Sequence, residues 1–489
     1  MKTNSLDFDA QALREKILDL AMRGKLIKQD PNDESASVLL EKIKAEKAKL
    51  VKEGKIKKNK PLPEITDDEK PFDIPDSWEW VRLGDLFTIF NGKAFKPKDW
   101  TEKGIPIVRI QNLNNPLAEY HLYDGPIEER YHLNGNELLF AWSGTPGTSF
   151  GAHIWKDQEA VLNQHIFKLE FNQKELDKGF LKNAMNFRIL KLIDDAHGSA
   201  GLRHITKKMF EETIIPLPPL SEQSRIAAKI AQLFALLRKV ESSTQQYAKL
   251  QTLLKSKVLD LAMRGKLVKQ DPNDEPASVL LEKIKAEKEQ LIKEKKIKKS
   301  KPLPPITDEE KPFEIPDSWK WVRLGDIGAW AAGATPSRKH PEYYGGTIPW
   351  LKTGDLNDGI VNETSEKITE LGVKNSSVKV NEPGNVLIAM YGATIGKLGI
   401  VGNQELVTNQ ACCGCSLFDG VHNWYLFYYL LASRKRLIDL GSGGAQPNIS
   451  KNKIEKFTFP LPPLEEQNRI VTEVERLFVL LGKSAKSPL

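Results

Sequence analysis

The 489-residue sequence contains no run of about 18 apolar residues, which excludes a membrane-spanning helix. It has only three cysteines, too few for a disulfide scaffold in a chain of this length. Its first residues, MKTNSLDFDA, carry no apolar core that would direct export, so a cytoplasmic location is expected. Catalytic signatures are scarce as well. The tetrapeptide N/D-P-P-Y/F, with which an adenine methyltransferase holds its target amine, does not occur; the nearest strings are DPND and PLPP. A phosphate-binding loop requires G-x-x-x-x-G-K-[ST]. Gly392 to Lys397 reads GATIGK, one residue short, and Leu398 stands where a magnesium-binding hydroxyl would be; a tight β-turn is expected instead. Asp68-Glu69-Lys70 copies a fragment of a nuclease motif, but it lies beside prolines in a charged linker, where its carboxylates are expected to be solvated. Cys412, Cys413 and Cys415 stand near His422. Adjacent residues of a strand point to opposite faces, which suits tetrahedral zinc poorly, so buried thiols are expected there. No catalytic constellation and no metal site are read from the chain.

What is present is an ordinary polar composition, 40% hydrophobic and 28% charged, with a net charge of +7. That balance suits a polyanion but does not by itself identify one. The length fits about three domains. Self-similarity is far more informative. Residues 18–86 begin LDLAMRGKLIKQDPNDESASVLLEKIKAEK and end PFDIPDSWEWVRLGDL; residues 259–327 repeat them at an offset of 241 (259 − 18), with 12 of 69 positions differing. IIPLPPLSEQSRI at 214–226 is repeated by FTFPLPPLEEQNRI at 457–470. Between these blocks lie two segments, roughly 88–213 and 328–457, that do not match well. The order is constant, variable, constant, variable, constant. Parts that stay the same must do one job twice, such as holding two copies of one partner, whereas each variable part must do something of its own.

After Pro219 a heptad pattern begins: Ile226, Ile230, Leu233, Leu237 and Val240, then Thr244, Tyr247, Gln251, Leu254, Val258 and Leu261. Alternating steps of four and three predict a helix with a coiled-coil seam, weakened at Thr244 and Gln251. Ser221 with Glu222-Gln223 can cap its first turn and Gly265 can stop it, a rod of about 68 Å. Ile470, Val474, Leu477 and Leu481 copy its first part, and Leu13, Ile17 and Leu20 copy its last. The termini are therefore expected to supply a second, discontinuous rod antiparallel to the first, in a circular, pseudo-twofold molecule. Lysine-rich helical stretches at 35–58 and 276–299 follow each rod. They read equally well as docking arms or as solvated helices on semi-rigid, proline-rich linkers.

The sequence resembles the specificity subunits of Type I restriction-modification systems along nearly its whole length. The resemblance rests on ALREKILDLAMRGKL (12–26), SWEWVRLGDL (77–86), PLPPLSEQSRI and PLPPLEEQNRI. In the second variable block it rests on GATPS (333–337), IPWLKTGDL (348–356), LIAMYGATIGKLGIV (387–401), TNQACC (408–413) and GAQPNIS (444–450). It implies a mixed α/β (α+β) fold: two globular target-recognition domains with mixed β-sheets, separated by long helices in an antiparallel coiled coil. On that reading 1–76 is an N-terminal helical region and linker, 77–216 the first recognition domain, 217–317 the central helices and linker, 318–460 the second recognition domain, and 461–489 a C-terminal helix. The resemblance further implies a non-catalytic subunit that reads one half of a bipartite, asymmetric double-stranded DNA target with each domain. Two modification subunits would dock on the conserved regions, and restriction subunits would join them. The chain itself would bind no cofactor; S-adenosylmethionine, ATP and Mg2+ would be used on other subunits. The chain departs from the pattern in its C-terminal rod, which stops soon after Leu481.

Base reading calls for Arg, Lys, Asn, Gln and Ser/Thr on protruding loops. In the first variable block such loops carry Lys93, Lys96, Arg109, Gln111, Asn112, Ser143, Arg203, His204, Lys207 and Lys208. In the second they carry Thr335, Arg338, Lys339, Lys352, Thr353, Tyr391, Lys397, Gln446, Asn448, Lys451 and Lys453. The glycine-rich GSAGLRHITKK and GSGGAQPNISKNK occupy equivalent places. Trp78, Trp80, Trp319 and Trp321 recur in both halves and are read as core anchors. Two rivals stand beside this reading: a scaffold bridging two identical partners, and a stand-alone DNA-modifying enzyme. Two divergent domains with basic, glycine-rich loops have no purpose in the scaffold.

Overall fold

The computed structural model describes residues 9–57, 60–115, 117–144, 150–156, 159–195, 203–441 and 448–482, with the backbone alone at 144, 189–195, 203 and 204. The chain divides into two compact units between Thr244 and Gln245, inside one helix that runs Leu220–Met263.

The N-terminal unit starts with the helix Ala10–Met22, capped by the Asp9 side chain on the Ala12 N–H. Gly24, with φ +66, ends it; a Cβ there would run into Pro75, so the chain turns where only glycine fits. The lysine-rich helix Ala36–Lys52 follows and buries Ala36, Leu39 and Ile43. Lys47 reaches inward, its Nζ donating to the carbonyls of Gly84 (2.7 Å) and Phe87 (3.2 Å). The helix is thus packed on its own recognition domain by one face and solvated on the other. The domain itself opens with Glu79–Arg82, which pairs antiparallel with Ile214–Leu217 at its far end, so the chain enters and leaves side by side. Between them lie an antiparallel sheet in the order Thr88–Asn91, Ile166–Glu170, Leu138–Ala141, Gly151–Ile154, and a mixed sheet in the order His121–Tyr123, Ile105–Val108, Ala160–Leu162, His132–Leu133. One apolar cluster runs from Ala21 and Met22 through Leu39, Trp78, Phe140, Phe180 and Phe210 to Ile226 and Ile230.

The C-terminal unit repeats this plan. The second half of the central helix ends before Gly265 (φ +64), the arm helix Ala277–Lys293 buries Ala277, Leu280 and Ile284, and Lys288 donates to the Gly325 carbonyl. Lys320–Arg323 pairs with Thr458–Leu461. A five-stranded sheet (Gly328–Ala332, Cys412–Leu417, Val386–Ala389, Leu398–Val401, Gly359–Val361) and a four-stranded one (Glu366–Ile368, Tyr344–Leu351, Leu406–Thr408, Val380–Asn381) mix parallel and antiparallel pairs. The C-terminal helix Leu464–Leu480 closes the unit. In each unit a terminal helix lies antiparallel to its half of the central helix. Arg14 pairs with Glu241 (2.5 Å) while Gln29 reaches Glu222. Gln251 donates to the Leu481 carbonyl (2.8 Å) while Gln270 reaches Glu466.

The seam expectation needs correction in detail. Ile226, Ile230, Leu237, Ile470 and Val474 are buried, and Leu233, Val258, Leu261 and Leu477 are half-buried. Val240 and Leu254 are exposed, as are Tyr247 and Leu13. Near its end the central helix buries Leu259, Ala262 and Met263 instead, because Trp319 of its own recognition domain packs on that side. Glu222 is no first-turn cap either: it is buried and bonded to Trp78 and Gln29. Glu69 is not merely solvated. Its carboxylate caps Thr66 and pairs with the buried Arg82 guanidinium, which also donates to the carbonyls of Pro63, Glu64 and Glu212. Trp78 and Trp319 are buried anchors as expected. GATIGK is a tight turn between Val386–Ala389 and Leu398–Val401, with Gly392 and Gly396 at φ +84 and +78. The three cysteines are buried, and burial pushes their thiols up, that of Cys413 to about 12.

In the second unit Arg323, 4% exposed, donates to Pro304, Pro305, Lys456 and Glu310. Arg323→Met leaves those carbonyls without a donor and is expected to cost roughly 2–3 kcal/mol of stability. The Glu310 carboxyl, hydrogen-bonded by Arg323 and by the Thr307 backbone, is lowered from 4.5 to about 2. Its contribution is therefore complete above pH 4.5 and lost as pH falls toward 2. Denaturant unfolding of Glu310→Gln across that window is expected to show a shallower acid loss than the unaltered chain. An equally steep loss would refute the assignment.

Candidate nucleic-acid interface

Each recognition domain links its two sheets by the same short turn. In the first, Ala160–Leu162 of the mixed sheet leads through Asn163-Gln164-His165 into Ile166–Glu170 of the antiparallel sheet. In the second, Leu406–Thr408 leads through Asn409-Gln410-Ala411 into Cys412–Leu417. Backbone bonds match one for one. Asn163 N–H donates to Val108 and Asn409 N–H to Leu351; Ile166 N–H donates to Asn163 and Cys412 N–H to Asn409. Gly92 N–H donates to Ile166, and Gly333 N–H to Cys412. A Cβ on Gly92 would strike the carbonyl of Asn163, and one on Gly333 those of Thr408 and Asn409. Glycine is required where this loop crosses the turn.

Two further loops join at the same place. Trp142 N–H donates to His165 and Met390 N–H to Ala411, while Ile205 N–H donates to Trp142 and Ile449 N–H to Met390. Ser143 pairs with His204 in the first domain, and Tyr391 with Asn448 in the second. The ladder makes Ser143 equivalent to Tyr391, His204 to Asn448, Ala94 to Thr335, and Lys207 to Lys451. The same backbone hydrogen bonds recur in both domains here, while most of the side chains at these positions differ.

In the first domain, Lys93 donates to the Tyr123 hydroxyl (2.9 Å) and lies over its ring, and Trp142 Nε1–H donates to Asn91 (3.2 Å) beside the His165 ring. Lys96 and Gln111 are exposed. Arg109 donates to the Glu119 carbonyl, and its Nε is buried without a partner among the described residues. Nearby burial, then the Arg109 charge, lowers the His121 imidazole below its usual value. Lys207 and Lys208 are exposed on the helix Lys207–Glu212, with Glu211 and Glu212 3.7 Å away from them respectively. Asn112 must be set aside: it is buried, accepting the Arg109 N–H and donating to the Ala118 carbonyl, so it shapes its own loop. Ser143 is buried in the ladder and faces no groove. Only the backbones of Arg203 and His204 are described, pairing with Gly144 and Ser143.

In the second domain, Thr335 is hydrogen-bonded to Gln410, near Tyr391, whose hydroxyl is pushed up by burial. Arg338 and Lys352 converge on Glu366 (2.8 Å each), and Arg338 also lies over Tyr344. Lys352 and then Arg338 hold the Glu366 carboxyl below its usual range. Lys339, Asn448 and Lys451 are exposed, Lys451 with Glu455 at 3.3 Å, whereas Thr353 and Lys397 are half-buried. Lys453 caps the Leu440 carbonyl. Gln446 lies outside the described residues. Gln164 and Gln410 stand at the apex of the turn between the two sheets and were not singled out from the sequence as candidates. The shared Asn-Gln pair at 163–164 and 409–410, inside otherwise divergent segments, was the available signal.

The two domains share one plan, each opened and closed by the same strand pair and followed by a helix. The family described as "Type I restriction modification DNA specificity domain" matches residues 75–251 and 316–481, and the chain belongs to it. The chain is 33% identical to the Type I restriction enzyme EcoAI specificity subunit of Escherichia coli, over 97% of this chain and 90% of that one. It is 31% identical to the EcoEI specificity subunit of the same species, over 96% and 89%. Among solved structures, the HsdS subunit from Thermoanaerobacter tengcongensis aligns with a TM-score of 0.51 at 20% identity, covering 84% of this chain and 92% of that one. A chain from a study of type I R-M assembly and conformational transition aligns at 0.57 with the same identity and coverage. Both show the fold. The chain is thus a specificity subunit of a type I restriction-modification system, which acts with DNA and with other subunits.

Lys208, 81% exposed at its side chain, suits a phosphate contact. Lys208→Ala is expected to lower the slope of log affinity against log salt by roughly 0.9 without altering sequence preference. Titrations of duplex DNA at several salt concentrations measure this, and an unchanged slope removes Lys208 from the interface.

Proposed function

We propose that the two recognition domains read two different half-sites of one asymmetric, bipartite duplex target, and that the helices between them set the gap. The near-identical regions dock two copies of one modification subunit, and restriction subunits join that complex. This chain contributes no active site. S-adenosylmethionine, ATP and Mg2+ act on the other subunits.

The observation that carries this reading is the repeat of one support around unlike tips. The Trp78–Glu222–Gln29 and Trp319–Glu466–Gln270 junctions are the same contacts made twice. Ala94 and His204 in one domain stand where Thr335 and Asn448 stand in the other. Equal supports suit equal partners, and unequal tips suit unequal half-sites.

Bound to its modification partner, the chain is expected to select one bipartite duplex from scrambled competitors at physiological salt; equal affinity for all duplexes sinks the reading. Incubated alone with DNA, S-adenosylmethionine and Mg2+, it is expected to methylate and cleave nothing. Lengthening the paired helices by seven residues adds about 10 Å, or roughly three base pairs of DNA at the helical rise per strand. Methylome sequencing should then report a longer gap between unchanged half-sites. Altered half-sites would contradict the ruler.

A further inference from the structure

We propose that Gln164 and Gln410 donate to the DNA backbone, the same contact in both domains, and that Thr335 is the positioning residue that aims Gln410. This inference rests on the DNA-reading function above and goes beyond it by separating a shared contact from the discriminating ones.

The placement is the first ground. Each glutamine sits at the apex of the turn that joins the two sheets of its domain, where three loops meet. Gln410 is exposed and Gln164 half-buried. The second ground is orientation. The Thr335 hydroxyl donates to Oε1 of Gln410, which fixes that end of the amide as the acceptor and turns Nε2 the other way. Tyr391, from a second loop, lies near the same amide. In the first domain the Gln164 Nε2 lies 3.3 Å from the neighbouring His165 ring nitrogen. An exposed side chain held by a bond from a neighbouring loop has already lost part of the rotamer freedom that binding would otherwise remove.

The third ground is identity. At equivalent positions the tips differ: Ser143 against Tyr391, His204 against Asn448, Ala94 against Thr335. At the crossing Asn-Gln is kept, along with Gly92 and Gly333, which have no side chain to reach outward; Lys207 and Lys451 match nearby. Two domains that read different bases can share a contact only with what both half-sites present, and every duplex presents phosphate oxygens.

The test uses the chain bound to its modification partner and a randomised duplex pool, with the bound fraction sequenced and affinities measured on the selected duplex and on non-selected ones. Gln410→Ala is expected to weaken binding roughly 5- to 10-fold on every duplex, as loss of one hydrogen bond would, with the selected bases unchanged. Gln410→Glu, which keeps the shape but meets phosphate with a negative charge, should weaken it further and most at low salt. Thr335→Val is expected to give part of the Gln410→Ala loss and Thr335→Ser to restore binding. Relaxed preference at a single base position in Gln410→Ala would overturn the shared-contact assignment, and so would unchanged affinity in both glutamine variants. A pool from which the unaltered complex selects nothing would overturn the DNA-reading function along with it. Matching thermal melts of all variants exclude loss of fold as the cause.

Discussion

Both units hang on one buried carboxylate. Glu222, 1% exposed, accepts the Trp78 indole N–H (2.9 Å) and the Gln29 amide (2.6 Å); Glu466, equally buried, accepts from Trp319 (2.9 Å) and Gln270 (2.5 Å). Three separate pieces of chain meet at each carboxylate: the helix that leaves the recognition domain, the strand that enters it, and the turn after the antiparallel helix. Burial pushes both carboxyls above their usual values, so the ionised form is tolerated only because both oxygens are hydrogen-bonded. The Arg225–Asp33 and Arg469–Asp274 pairs, at 2.6 and 2.5 Å, close over the same junctions. Beside them, Gln223 accepts the Asp177 N–H and Gln467 accepts the His422 N–H, so the join between recognition domain and helix is directional where apolar contacts are not.

A second directional constraint stands one layer out. Arg82 and Arg323 gather carbonyls from the proline-rich linker and from the last helix of the domain, and their charge is met by Glu69 and Glu310. Proline-rich linkers lack donors of their own, so a guanidinium with five fixed N–H groups is suited to hold one against a globular domain. Lys47 and Lys288 do the same work for the arm helices. The arms are therefore part of each unit's support and not loose spacers, while their outward lysines remain in solvent.

What was legible beforehand follows the range of the interaction. The repeat, the long helix, the glycine that ends it, the GATIGK turn and the buried tryptophans are set by neighbours within a few residues or by burial of large apolar rings. The contacts of Glu222 and Glu69 were misjudged because their partners lie elsewhere in the chain: Trp78 is 144 residues from Glu222, and Arg82 is 13 beyond Glu69 across prolines. A glutamate after a Pro-Pro-Leu-Ser sequence looks like a first-turn residue until a tryptophan arrives from another segment. Asn112 was misread for a related reason. Its amide satisfies its own loop, and a polar residue that does so is indistinguishable in sequence from one that reaches outward. The heptad pattern was followed too far into the middle of the central helix, where Val240 and Leu254 are exposed. Helical periodicity reports which residues share a face, but it does not report whether anything covers that face.

The site itself was half legible. The candidate loops were picked out because glycine and basic residues mark them, but the turn that organises them was not, although TNQACC contains one copy of it. Its meaning emerges only from the ladder. Once Ile166 is matched to Cys412 and Ala141 to Ala389, every neighbouring position has a counterpart, and sameness and difference can be assigned residue by residue. A reader of two unlike half-sites must vary side chains without moving backbone, because a shifted loop would carry the shared contacts away with it. Backbone hydrogen bonds that ignore side-chain identity, with glycine at the crossing where no side chain fits, meet that requirement. The tips at 94 and 335, and at 204 and 448, can then change while the frame that presents them stays the same.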